Sequence, residues 1–214
     1  MRISHEHKFV YFSIPKTASS SIRHFLEPYS DVDIVGYPQT SQEKPFHIHM
    51  RPAEARDALL SQQFNPDTYF TFATVRNPWA RVASLYAMLQ RNKGAWRYGS
   101  FKNWLGTIRP DDCESSSGTP KWHAYGVLSY RSFLSTPPGG KKVDRVYRIE
   151  DGFEELINDL KLRVGQDLWT HDFPLINANP RRTNYGAVYD RQTIKMVESL
   201  YEDDIQSYNY SFNA

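Results

Sequence analysis

Three short apolar segments of this chain are each followed at once by a helical pattern, and this alternation limits the folds that the chain can adopt. Residues 9–14 (FVYFSI), 69–75 (YFTFATV) and 143–149 (VDRVYRI) are rich in β-branched and aromatic residues, which predicts three strands. Apolar residues then recur at helical spacing, with Pro78 in a favourable first-turn position and a further helix near the C-terminus. The pattern predicts a three-layer α/β fold with a mainly parallel central sheet, in a single domain of residues 1–214.

The composition excludes several classes of protein. A chain of 214 residues can bury a full core, and its one cysteine, Cys113, rules out an internal disulfide. No apolar run approaches the length of a membrane span, and a net charge of +2 does not indicate a nucleic-acid-coating protein. The charges are unevenly distributed, however, because no acidic residue occurs between Thr68 and Pro110. This basic stretch indicates either a local anionic ligand or a solvated basic face.

A polar loop joins the first predicted strand to the first predicted helix. Residues 15–21 read Pro-Lys-Thr-Ala-Ser-Ser-Ser, so Lys16 and several hydroxyl groups lie where the helix begins. Backbone N–H groups and the helix dipole favour anions at such a position, which predicts an anion-binding loop. An ordinary helix with a serine-rich start is the alternative. The loop lacks the Walker A spacing G-x-x-x-x-G-K-[ST], and this argues against an ATPase or a kinase.

A second polar motif follows the second predicted strand. Arg76 lies at the strand end, and Ser84 lies about two helical turns into the next helix. A guanidinium can bind phosphate through two parallel hydrogen bonds, and a hydroxyl can complete the shell. Alternatively, Arg76 caps the sheet and Ser84 packs on the helix.

Two histidines, His47 and His49, lie between the two motifs. Alternate residues of a strand face the same way, so the pair could bind a metal, but no carboxylate or cysteine cluster in the sequence completes such a site. Histidine titrates near neutral pH, so either residue could act as a general base. A buried structural histidine is the remaining interpretation.

Taken together, these motifs resemble those of the PAPS-dependent sulfotransferases, where PAPS is 3′-phosphoadenosine-5′-phosphosulfate. Residues 14–21 (IPKTASSS) resemble the 5′-phosphosulfate-binding loop of that family. Residues 75–86 (VRNPWARVASLY) look like the 3′-phosphate-binding segment of its carbohydrate sulfotransferases, which include the heparan 2-O-sulfotransferases. Residues 147–150 and the region 175–205 are similar to the same group, in the same order. The resemblance implies a P-loop-NTPase-like fold.

The resemblance also implies a role for each motif. It makes His49, rather than His47, the general base, and it places Lys16 against the leaving phosphate oxygen. Residue 18 is often glycine in relatives, although heparan 2-O-type loops also carry alanine there. The loop at residues 181–184 is loosely similar to a region that folds over the nucleotide in relatives, which implies a cofactor contact; solvated loop charge is the alternative. The implied cofactor-binding residues are Lys16, Thr17, Ala18, Ser19, Ser20, Ser21, Arg76, Ser84 and Arg182.

The resulting prediction is an enzyme that moves a sulfuryl group from PAPS to a hydroxyl of a carbohydrate or another acceptor by in-line displacement. Adenosine 3′,5′-bisphosphate would be the product, and neither a metal, a nucleic acid nor a membrane is expected to take part. The anchor and stem of Golgi relatives do not occur in this sequence, so we expect a soluble cytoplasmic enzyme of bacterial or viral origin. Two alternatives stay open: a non-catalytic nucleotide- or glycan-binding module, which needs the loop but no base, and a nucleotide kinase-like phosphoryl transferase.

Overall fold

The fold is described from a computed structural model of the chain. The structure describes residues 1–92, 95–111, 121–165 and 184–213. The chain divides into two compact units. The first contains the described residues of segments 1–75 and 133–177, and the second contains those of segments 76–132 and 178–214.

A four-stranded sheet forms the centre of the first unit. In chain order, which is also their order across the sheet, the strands are β1 (Arg2–Ser4), β2 (Phe9–Phe12), β3 (Phe70–Val75) and β4 (Arg145–Arg148). Strands β2, β3 and β4 are parallel, and β1 pairs antiparallel with β2. The sheet is therefore mainly parallel, and the carboxyl ends of its three parallel strands meet at one edge, where ligands bind in folds of this kind.

Helices cover both faces of this sheet, because neighbouring strand residues point to opposite sides. One face packs against helices α1 (Ser19–Phe25) and α7 (Glu154–Val164) in a core that includes Phe9, Tyr11, Phe72, Tyr147, Ile22 and Leu160. On the other face, Val10 and Phe12 line a small cavity together with Ala55 and Leu59 of α2 (Pro52–Ser61). The first unit thus has the three layers that the sequence predicts.

Helices build the described part of the second unit. They are α3 (Pro78–Arg91), α4 (Phe101–Leu105), α5 (Lys121–Val127), most of α6 (Tyr130–Phe133), α8 (Arg191–Leu200) and α9 (Glu202–Ser207). The core side of α3 contributes Tyr86, whose ring centroid lies 4.9 Å from that of Phe101 and 5.3 Å from that of Trp104 on α4. The basic stretch is not one solvated face, because Arg81 of α3 is only 2% exposed.

The predicted α/β fold class and its strands are confirmed, with bounds shorter by one to three residues. Strand β1 was too short for a periodic pattern, since only residues 2–4 take part in it. Helices α4 and α5 are not predicted from the sequence pattern. The last helix is interrupted at Tyr201. Within the described ranges, no helix combines the length and apolar character that crossing a bilayer demands.

Candidate active site

Two residues of the loop between β2 and α1 have a left-handed backbone. The φ angle is 70° at Lys16 and 57° at Ala18. This region costs a non-glycine residue about 1–2 kcal/mol, so other contacts must stabilise the loop. Glycine adopts such angles without this cost, so Ala18 is a more strained residue for this position than glycine would be.

Buried hydroxyl groups beneath the loop supply those contacts. The hydroxyl of Thr17 is fully buried and donates to the carbonyl oxygen of Ile14 at 3.0 Å. Thr74, near the end of β3, donates to the carbonyl oxygen of Thr17 at 3.0 Å. The phenol of Tyr11 lies 2.9 Å from the Thr74 hydroxyl and donates to it. The sequence predicts a hydroxyl contact from Thr17 to the cofactor, whereas the structure uses that hydroxyl within the loop. A contact of Thr17 with a nucleotide would therefore come from its main chain.

Helix α1 begins after Ala18 without a capping side chain. Alanine offers no acceptor to the first-turn N–H groups, and the first turn contains no acidic residue. Ser19 and Ser21 are buried, while Ser20 and Lys16 are half-buried. Residues 16–21 thus carry, within one loop and the first turn of α1, an ammonium, hydroxyls and N–H groups, which are donors of the kind that bind a phosphate or sulfate anion.

The side chain of His49 is hydrogen-bonded to Ser13, which lies just before this loop. Its Nδ1 lies 2.6 Å from the carbonyl oxygen of Ser13. A carbonyl oxygen only accepts, so Nδ1 carries the proton and the lone pair of the neutral ring is on Nε2. His49 is thus fixed beside the start of the loop in a tautomer that can accept a proton.

The surroundings of His49 keep its ring neutral. Burial lowers the pKa of His49 to about 3, and the positive charges of the Met1 α-amino group and Arg23 act in the same direction, while the hydrogen bond to Ser13 opposes them. The sequence predicts a base that titrates near neutral pH, whereas desolvation disfavours the imidazolium and holds the pKa of His49 below that range. The role of His49 as the base stays a prediction. An anion bound nearby would raise this pKa.

His47 has the environment of a core residue. Its side chain is 4% exposed and packs edge-on against Tyr37, with 5.1 Å between the ring centroids. Its main chain forms an isolated bridge with Val35. Among the residues that the structure describes, no three or more His, Cys, Asp or Glu side chains are grouped so that they could hold a metal ion.

Arg76 and Ser84 lie in the second unit, before and within α3. Asn77 caps α3 by accepting from the N–H of Trp79 at 3.1 Å, and its amide donates to the carbonyl oxygen of Ser211 at 2.7 Å. Arg76 is half-buried immediately before this cap. Ser84 is half-buried about 9 Å along the helix axis from Pro78. Arg182 lies outside the described residues.

Two residues of the site, Ser13 and Thr74, are missing from the sequence-based prediction. Each is a hydroxyl residue in the second-last position of a mainly apolar strand segment, which is the signal that could have identified them. Thr74 supports the loop, and the main chain of Ser13 holds His49. The Ser13 hydroxyl is buried with no hydrogen-bond partner among the described residues.

The chain matches a known family over nearly its whole length. The model described as "Sulfotransferase family" matches residues 1–211, and the chain belongs to this family. No match was found among curated proteins or among solved structures. Membership agrees with the mainly parallel sheet and the loop after β2, and it defines the protein as a transferase of sulfuryl groups.

Proposed function

We propose that this sulfotransferase moves a sulfuryl group from PAPS to a hydroxyl group of a carbohydrate. The observation that carries the proposal is the hydrogen bond from His49 to Ser13, because it fixes a neutral imidazole beside the loop that suits an anion. A protein that only binds nucleotide needs the loop but not the base. The carbohydrate acceptor is proposed from the sequence resemblance.

The residues that hold the nucleotide are assigned from the donor set of the loop and from the resemblance. At the 5′ end we place Lys16, the main chain of Thr17 and Ala18, and the hydroxyls of Ser19, Ser20 and Ser21. We assign the 3′-phosphate to Arg76 and Ser84, with Arg182 as a further contact. PAPS supplies the sulfuryl group, whose bond to the bridging oxygen breaks as the acceptor oxygen attacks sulfur.

In this scheme His49 accepts the proton of the acceptor hydroxyl at Nε2. At pH 7 its low pKa leaves that nitrogen unprotonated. A ring with so low a pKa is a weak base, but negative charge from the bound nucleotide favours the imidazolium and raises the pKa towards the useful range. The hydrogen bond from Nδ1 to Ser13 keeps the ring oriented as Nε2 gains the proton.

Lys16 stabilises the negative charge that grows on the leaving phosphate oxygen. Its backbone is fixed by the left-handed loop geometry, so its side chain starts from a defined position. An interaction that strengthens as the charge develops lowers the barrier and raises kcat, in contrast to one made equally in the ground state.

The preference of the protein among nucleotides tests the proposed PAPS site. At 100 times its Kd, adenosine 3′,5′-bisphosphate should stabilise the protein by about 2.7 kcal/mol, which a rise in Tm reports. AMP and ATP–Mg²⁺ at the same concentration should stabilise it far less. Arg76→Ala should cost roughly 1.5–3 kcal/mol of affinity for the bisphosphate and little for AMP, since a charge-assisted bond to the 3′-phosphate is lost.

Transfer of ³⁵S from labelled PAPS to a panel of glycans tests the catalytic site. His49→Ala should lower kcat about 10²–10⁴-fold, the usual contribution of a positioned base, with the Kd of the bisphosphate nearly unchanged. His47→Ala, the neighbouring-histidine control, should lower kcat less. Bisphosphate binding without transfer to any acceptor would show a binding module instead. Stabilisation by ATP–Mg²⁺ but not by the bisphosphate would show a phosphoryl transferase.

A further inference from the structure

A single tyrosine hydroxyl holds both polar groups of the Arg76 main chain. The phenol of Tyr130 accepts from the Arg76 N–H at 3.0 Å and donates to the Arg76 carbonyl oxygen at 2.5 Å. Arg76 is the residue between the end of β3 and the cap of α3, so it belongs to neither element. Its main chain therefore depends on a residue 54 positions away in the sequence.

Tyr130 is itself fixed from two sides by buried charged groups. Its N–H donates to a carboxylate oxygen of Asp204 at 2.7 Å. The guanidinium of Arg81 lies 4.7 Å from the centre of the Tyr130 ring and donates to the carbonyl oxygen of Leu128 at 2.8 Å. Tyr130, Arg81 and Asp204 are each at most 2% exposed. Asp204 thus fixes the main chain of Tyr130, and a change of side-chain rotamer would break the contact of the ring with Arg81 and both hydrogen bonds of the hydroxyl.

We propose that Tyr130 is a positioning residue for the 3′-phosphate site and acts through the main chain of Arg76. The inference rests on the proposed function, which assigns the 3′-phosphate to Arg76. A small rotation of the Arg76 backbone would displace the guanidinium at the end of a long side chain, and a bidentate contact with phosphate tolerates little displacement. The Tyr130 hydroxyl opposes this rotation in both directions, because it bonds the groups on either side of the Arg76 Cα.

The test is the ratio of the Kd for AMP to the Kd for adenosine 3′,5′-bisphosphate, measured by calorimetry. This ratio reports the 3′-phosphate alone, and a general loss of structure changes both constants together. Tyr130→Phe keeps the ring against Arg81 and removes only the hydroxyl, so the protein should fold. We expect the ratio to fall about tenfold. A change of this size corresponds to the loss of one well-formed hydrogen bond between the Arg76 guanidinium and the 3′-phosphate.

Tyr201→Phe is the matched control. The Tyr201 hydroxyl is also buried and donates to a main-chain carbonyl, that of Val127, at 2.7 Å. Removing it should cost similar stability and leave the ratio unchanged. If Tyr130→Phe does not fold, Asp204→Asn weakens the same support while keeping an acceptor for the Tyr130 N–H, and a smaller fall in the ratio is expected.

A double variant separates the possible failures. If Tyr130 acts through Arg76, then Tyr130→Phe combined with Arg76→Ala should give the same ratio as Arg76→Ala alone. A further fall in the double variant, or an unchanged ratio in Tyr130→Phe, would overturn the positioning role and leave the proposed function intact. A wild-type ratio near one would instead overturn the 3′-phosphate assignment, and the inference with it.

Discussion

Replacing His49 by asparagine should remove a large part of the pH dependence of stability. The amide nitrogen of asparagine lies near the position of histidine Nδ1 and can donate to the Ser13 carbonyl, so the hydrogen bond is retained. Asparagine does not titrate. The substitution therefore isolates the proton equilibrium of the ring from its structural contact.

The sign and size of the effect follow from the two pKa values of His49. Its pKa is about 3 in the folded protein and 6.5 in a model peptide. Between these values the unfolded chain binds a proton that the folded protein does not, so the free energy of unfolding falls as the pH falls. The loss from His49 between pH 8 and pH 5 is about 2 kcal/mol, a substantial share of the 5–15 kcal/mol typical of a domain.

Urea denaturation at pH 8, 7, 6 and 5 measures this difference. The wild type should lose about 2 kcal/mol more than His49→Asn over the range. The comparison stops at pH 5 to limit the contribution of carboxylates such as Asp31, whose pKa is lowered by N–H donors despite partial burial. His24→Asn, a change of an exposed histidine on α1, should follow the wild type. Equal losses in the wild type and His49→Asn would show that the folded protein binds this proton normally and that the His49 ring is not desolvated.

Two further changes test the loop. Lys16→Ala should lower kcat more than it raises the KM for PAPS in initial-rate assays, because Lys16 is assigned to charge that develops in the transition state; a pure KM effect would make it a binding residue only. Thr74→Val should lower the free energy of unfolding by about 1–3 kcal/mol in urea titrations, because it removes the donor to the Thr17 carbonyl and the hydrogen bond between Thr74 and the buried Tyr11 phenol. The exposed control Thr68→Val should change it by less than about 0.5 kcal/mol, and equal effects would contradict a supporting role for Thr74.

The sequence predicts the parallel strands and the loop because both depend on local patterns. The segments around Phe9 and Phe70 are apolar and rich in β-formers, and the polar residues after Pro15 stand out against them. The choice of His49 over His47 as the general base, in contrast, depends on the family resemblance alone. The structure adds a physical basis, since His49 is bonded at the loop while His47 is packed against Tyr37.

The remaining features depend on contacts between residues that are distant in the sequence. Thr17 and Thr74 are 57 residues apart, so no local pattern reveals that the first hydroxyl belongs to the loop and not to a ligand. The low pKa of His49 comes from burial, which a sequence does not display at a single position. Tyr130 lies in a short helix without a recognisable motif, and only the fold brings it to Arg76.

The hydroxyl network beneath the loop has a consequence for binding kinetics. Thr17 and Thr74 hold the loop through contacts that involve no ligand, so the backbone that the proposed function assigns to the nucleotide is formed without it. Association then needs little rearrangement, and its rate constant should be set by diffusional encounter, with a decrease at high salt because Lys16 attracts the anion. Differences in affinity among loop variants should accordingly appear as differences in the dissociation rate, so that the residence time of the nucleotide measures how firmly the loop is held.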